Sequence, residues 1–212
     1  MPGVTDPQSE NKPLIDGIDI NNPDAAHEKN AEFLRNFPID RNVFRLYAKS
    51  TGLFIPVMGL LGAILDGKSR MIPILDYQLV VLRMTGLVGA DYLFGINTPV
   101  ARQNGMGDER IEALRKGSTS KELIALGIWS ERQQAIITLV EESVKTWTNK
   151  EETIQWAKSV MTEDEVVEVF IVLGFYSTIA RMTKALNTPK DAAIPHLSQA
   201  ITGTITRNEK DE

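Results

Sequence analysis

Cysteine is missing from all 212 residues. That absence removes disulfides, thiolate nucleophiles, CxxC redox chemistry and most structural zinc sites together. Histidine is nearly missing as well: His27 and His196 stand far apart in expected loops, too little material for a histidine metal site, so no metal is expected. No basic stripe runs through the chain. Residues 1–40 hold eight acids against three bases, which is the whole of the net charge of -5, and the remainder is neutral overall. Nucleic acid is therefore a poor partner. The opening MPGVTDPQSENKP lacks the basic stretch and apolar core of a secretory signal. The longest apolar runs are interrupted by Arg83 or Asp91, and neither makes a membrane span. These absences point to a soluble cytoplasmic protein with no membrane partner. Alternation with period two is also lacking beyond a few residues, so strands have no signature.

What is present is helical. Residues 1–23 carry four of the ten prolines and read as an extended or disordered arm. A single helical domain is expected over residues 24–190, followed by a tail over 191–212 that includes the Thr-rich ITGTITRNEKDE, read as extended. A short helix over DAAHEKNAEFLRNF stops at Pro38, Asp40 is placed to cap the next, and Pro56 fits the first turn of a third. Ser130 with Gln133, Asn149 with Glu152 and Thr162 with Glu165 each have capping-box spacing ahead of an apolar-periodic run. The last of these opens a long segment ending near Leu186. Between Lys116 and Gly127 the signal is loop or weak helix. Trp129, Trp147 and Trp156 fill helix contacts most simply, and the fold class is all-α.

The stretch DYQLVVLRMTGLVGADYLFGINTPVARQNG, residues 76–105, is the most informative. It reads as two helices separated near Gly86 and Gly89, the first capped by Asp76 and the second by Asp91. Pro99 lies inside the second and bends it. Polar and aromatic residues interrupt an otherwise apolar run there, which is where a pocket forms most readily. Gln78 and Asn97 can fix a carbonyl, or can tie helices together as buried amides. Tyr92 is placed to donate or orient a proton. Asp91 is either a cap or, if it faces the pocket, the nearest carboxylate base. Arg83 in an apolar helix must be paired or solvated, so it serves a structural ion pair across a subunit contact or holds a substrate carboxylate. Tyr77, Phe94, Tyr176 and Arg181 complete the expected lining, the last two brought by a helix packing across the first pair.

The same stretch, extended through MGDERIEAL, resembles the carboxymuconolactone decarboxylase and alkylhydroperoxidase D superfamily. NVFRLYAKSTGLFIPV before it and EVFIVLGFYSTIARMTKALNTP after it support the likeness, which spans residues 42–190 in the family's order. The resemblance implies an AhpD-like orthogonal helical bundle that assembles as a dimer, trimer or hexamer. It also implies that the positions of the peroxidase branch's relay glutamate, paired cysteines and histidine are occupied by Gln78, Ala90, Leu93 and Asn97. None of these titrates near neutral pH, and the histidine of the decarboxylase branch is missing too. Thiol peroxidase chemistry is excluded, since no pocket makes a thiolate from Ala90 or Leu93. The expectation is a cofactor-free, non-redox enzyme for a small cyclic or carbonyl-containing acid, working by decarboxylation, isomerisation or cyclisation. A non-catalytic ligand-binding or structural relative is the alternative.

Overall fold

Helix α4, Ile74–Leu87, is the axis on which the other elements are laid, because eleven of its fourteen residues are buried. A helix apolar on every side can only sit inside a bundle. The computed structural model describes residues 12–207 and 209–211; the expectation for residues 1–11 of the arm lies outside them. Around α4 the chain forms α1 (Glu28–Arg35), α2 (Asn42–Tyr47), α3 (Phe54–Leu65), α5 (Asp91–Gln103), α6 (Asp108–Arg115), α7 (Ser120–Ala125), α8 (Glu131–Thr146), α9 (Glu151–Val160), α10 (Glu163–Ala185) and α11 (Leu197–Thr204). A 3₁₀ turn follows at Glu209–Asp211. No strand occurs among the described residues, and the all-α expectation holds.

α4 packs against α5, α6, α8 and α10. Its contact with α6 is a backbone contact: a Cβ added at Gly86 would lie 2.1 Å from the Leu114 carbonyl oxygen. Gly86 is thus inside α4, and the turn to α5 is made beyond it by Gly89, whose φ of 60° favours glycine. Arg132 on α8 ties three helices, donating to Asp76 of α4 (2.6 Å), to Glu165 of α10 (3.3 Å) and to the Val160 carbonyl (3.1 Å).

Several expected helix signals turn out differently. Asp76 does not cap α4; it lies in the first turn, buried, and its carboxylate faces Arg132, while Asp211 accepts from the Ile74 N–H. Asp91 is the first residue of α5, exposed and making no cap bond; Ala90 stands at the cap position. Asp40 pairs with Arg45 and leaves α2 to start after Arg41. The boxes at Ser130 and Thr162 form, but Asn149 accepts from Ser143 and donates to the Leu139 carbonyl, so α9 starts after Lys150 without a side-chain cap. A box the spacing did not single out, Thr119 with Glu122, opens α7 in the stretch read as loop or weak helix. The ITGT part of the tail is helical, within α11. Residues 12–23 carry no helix, yet Ile18 and Ile20 are buried against the bundle.

α10 is long and apolar enough, by length and composition alone, to cross a bilayer, although its sequence was not expected to make a span. In the fold it is a core helix: Val169, Val172, Leu173 and Tyr176 are buried on the side facing α4, α5 and α9, and Val167 and Ile171 are exposed.

Candidate functional site

A small hollow of about 70 Å³ lies between α2, α3, α4, α5, α10 and α11. Its wall is apolar, from residues such as Phe44, Leu61, Leu93, Ile96, Ile179 and Ile201, and is interrupted by Arg41, Tyr77, Asn97, Tyr176 and Thr204. No Asp, Glu or His is among the lining residues. Tyr77 comes from the first turns of α4 and Tyr176 from the middle of α10, ninety-nine residues later; their hydroxyls are hydrogen-bonded to one another. Their rings stand 5.9 Å apart at 59°. Tyr77 is fully buried and Tyr176 is 5% exposed.

Burial dominates the chemistry of this pair. Loss of water raises the Tyr77 phenol well above its ordinary pKa, with its neighbour Tyr176 adding to the rise. Burial likewise pushes Tyr176 up to about 12, against the opposing pull of the Tyr77 hydrogen bond and of Arg41. Both phenols are therefore neutral donors at physiological pH, and neither is a base. One hydroxyl donates within the pair, which leaves the second O–H proton outside that bond.

Gln78 stands behind this pair. It is fully buried and does not line the cavity. Its amide is close enough to the Tyr77 phenol to oppose the rise in pKa, yet neither its Oε1 nor its Nε2 makes a well-formed hydrogen bond. A buried amide in that condition is costly, roughly 1–3 kcal/mol per unpaired group, and such groups concentrate at functional sites. Asn97 reaches the cavity from α5 and spends its Nδ2 on the Leu93 carbonyl (2.9 Å) one turn back. Arg41 lies between this cavity and an outer polar hollow of about 420 Å³ formed with Asp40, Asn42, Arg45, Lys190 and Asp191. Its Nη1 is 3.0 Å from Asp191.

The other expected site residues are placed elsewhere. The Tyr92 hydroxyl donates to Asp191 (2.9 Å) and accepts from the Val43 N–H (3.2 Å), so it anchors the segment after α10 to α2 and is not a lining residue. Burial first, and then the Asp191 charge, hold its pKa well above the ordinary value. Asp91 faces solvent. Arg83 is buried in an ion pair within the chain: Nη2 donates to Glu141 and Nη1 to the Ser118 carbonyl, both at 2.6 Å. Desolvation lowers its pKa, and Glu141 opposes that. Phe94 is buried beneath the Arg115 guanidinium, 4.2 Å from its ring centre. Arg181 is exposed and stacked over Trp147 at 4.4 Å, on the opposite side of α10 from Tyr176. Trp147 itself, expected in a helix contact, is 76% exposed. The cavity thus gathers Tyr77, Tyr176 and Asn97, with Gln78 behind, and adds Arg41 and Thr204, which sequence reading missed. Arg41 precedes an apolar-periodic helix and had only that position as a signal.

No protein-family model matches the chain, and no curated protein matches it. Solved structures do match. A peroxidase-related protein from Silicibacter sp. TM1040 superposes with a TM-score of 0.67 over 92% of this chain and 98% of its own, at 13% identity. The debrominase Bmp8, a cysteine-to-alanine form in complex with 2,3,4-tribromopyrrole, superposes with a TM-score of 0.67 over 90% and 98%, at 14% identity. The chain has the AhpD-like fold. An Agrobacterium tumefaciens protein of unknown function, linked by its description to the antioxidant defence protein AhpD, agrees: TM-score 0.60, 69% of this chain and 97% of that one, 17% identity. Leu93 and Asn97 both line the phenol cavity, whereas Ala90 is buried at the head of α5. No cluster of three or more His, Cys, Asp or Glu able to hold a metal occurs among the described residues.

Proposed function

We propose that the protein is a cofactor-free, non-redox enzyme whose site is the cavity at Tyr77, Tyr176 and Asn97, and that it decarboxylates a small carbonyl-containing acid. The observation that carries this reading is the buried, hydrogen-bonded phenol pair facing an apolar cavity with no carboxylate or histidine in its wall. Isomerisation and cyclisation need a group to remove a proton from carbon, and phenols with raised pKa values are poor bases. Decarboxylation needs none. The bond from the α-carbon to the carboxylate breaks, CO₂ departs, and the electron pair is taken up as an enolate whose oxygen accepts from the free phenol O–H. A proton then passes from the pair to the α-carbon, and solvent restores it, so one proton is consumed for each CO₂ released. Arg41, at the boundary with the outer polar hollow, attracts the incoming acid, and the apolar wall favours loss of its charge as CO₂. Bmp8, with a small halogenated ring bound, supports the idea that this fold accommodates cyclic ligands of modest size.

The test is release of CO₂ from a panel of small β-keto and lactone-ring acids by the parent chain, Tyr77→Phe and Tyr176→Phe. Each variant is expected to lose at least ~10² in kcat. Unchanged turnover in both variants would overturn the assignment. The small size of the cavity favours a second reading, a ligand-binding relative without turnover. Saturable binding of the same acids with no CO₂ release would establish that one instead.

A further inference from the structure

On the other side of α10 lies a second hollow, a surface groove of about 990 Å³, and it shares no lining residue with the phenol cavity. Its floor is apolar, built by Met84 of α4 and Val88 just after it, Val144 of α8, Ile154 of α9 and Phe170 and Leu173 of α10. Its only charged lining residues are Arg181 and Lys184, one turn apart near the end of α10. No Asp or Glu lines it, and among the described residues neither cation has a carboxylate within ion-pair distance. Lys184 donates to the Val88 carbonyl, which fixes its ammonium at the groove's end.

Trp147 adds an independent observation. It ends α8 in the left-handed conformation, φ 61°, a place where glycine or asparagine is the usual choice. The strained backbone projects a large indole into solvent, where the Arg181 guanidinium covers it at 4.4 Å. A side chain exposed at a conformational cost and stacked under an unpaired guanidinium forms a rim, with a flat apolar surface and a positive charge side by side.

We propose that this groove binds a carboxylate-headed amphiphile, one per chain. The alkyl or aryl body would lie on the apolar floor, and the head group would be held by Arg181 and Lys184 beside Trp147. Charge complementarity sets the class: a cationic amphiphile would bring two like charges together, and a neutral one would leave the guanidinium unanswered. Gly174 provides a clean way to block the site, because it lies in the lining and a Cβ added there meets nothing within 4 Å.

The probe is dodecanoate below its micelle concentration, titrated calorimetrically against the full chain, with dodecyltrimethylammonium and dodecanol as controls. The expected result is one dodecanoate per chain, bound at least ~10-fold more tightly than either control. Arg181→Glu and Gly174→Leu are each expected to weaken it at least ~10-fold with helical circular dichroism unchanged, whereas Tyr77→Phe leaves it unaltered, so that loss of the phenol site and loss of this one are distinguishable. Equal binding of the cationic amphiphile, or indifference to Arg181→Glu, would overturn the proposal. So would failure to bind dodecanoate in a chain that sediments as an oligomer and becomes monomeric in Gly174→Leu, because a second copy would then be what covers the groove.

Discussion

Arg83 carries a charge that solvent does not reach, and its two partners, Glu141 and the Ser118 carbonyl, are what make that tolerable. Removing the guanidinium leaves Glu141 with Lys145 and the Ser120 N–H only. Arg83→Met is therefore expected to cost about 3 kcal/mol in urea unfolding, without touching the phenol cavity. Glu165 adds a pH term. Its burial raises the carboxyl, but Lys210, the Thr162 N–H and Arg132 outweigh that and bring it to about 2, from an ordinary 4.5. An acid with a depressed folded pKa stabilises fully above its unfolded value and loses that contribution as pH falls. Unfolding midpoints should fall between about pH 4.5 and 2 in the parent by an amount worth up to about 3 kcal/mol, and Glu165→Gln should flatten that window. The phenols behave oppositely: with Tyr176 pushed up to about 12, turnover should show no alkaline limb below about pH 10, which a pH–rate profile reads directly. At this scale the sequence was only half legible. That Tyr77, Tyr176 and Asn97 deserved notice followed from polar groups inside apolar helices. Which hydroxyl faces the cavity did not, because Tyr92 and Tyr77 have the same chemistry and the Asp191 that captures Tyr92 lies ninety-nine residues away.

Between elements, the α4–α6 contact is the tightest constraint. A methyl group at Gly86 would meet the Leu114 carbonyl, a backbone atom that cannot rotate away. Gly86→Ala should destabilise the chain by about 2 kcal/mol or more, measured by urea unfolding, whereas an alanine at Gly174 should be nearly neutral or slightly stabilising. Most helices were readable from periodicity, α7 and α11 being the exceptions, and two of the three expected capping boxes formed, since that signal is local chemistry. Asp76, Asp91 and Asn149 departed from their expected caps, two of them for a reason the local sequence does not contain. Tertiary partners, such as Arg132 for Asp76 and Leu139 for Asn149, set the side-chain geometry in two of these cases. Gly86 and Gly89 looked alike as helix breakers, yet one permits a close approach and the other a left-handed turn.

For the molecule as a whole, the phenol cavity is lined by parts of very different security. α4 and α10 are core helices, while the outer wall comes from Ile201, Thr204 and Ile205 in and after α11, which packs mainly on α5. About 70 Å³ is room for two or so water molecules, so a ring-sized ligand fits wholly inside only if that wall moves. Amide hydrogen exchange should accordingly be at least ~10² faster in α11 than in α4, and should slow in α11 when the cavity is filled. The helical architecture was legible because apolar periodicity states it many times over. The outer wall of the cavity was not, because it depends on where a polar tail folds back. The most direct measurement is a titration with para-nitrophenolate, an oxyanion whose visible absorbance reports whether it is bound as the anion. The phenol pair should bind one per chain as the anion, with Tyr77→Phe and Tyr176→Phe each weakening it at least ~10-fold and Tyr92→Phe leaving it within about twofold. Absence of binding, or a loss in Tyr92→Phe equal to that in the other two, would contradict the assignment of the site to Tyr77 and Tyr176.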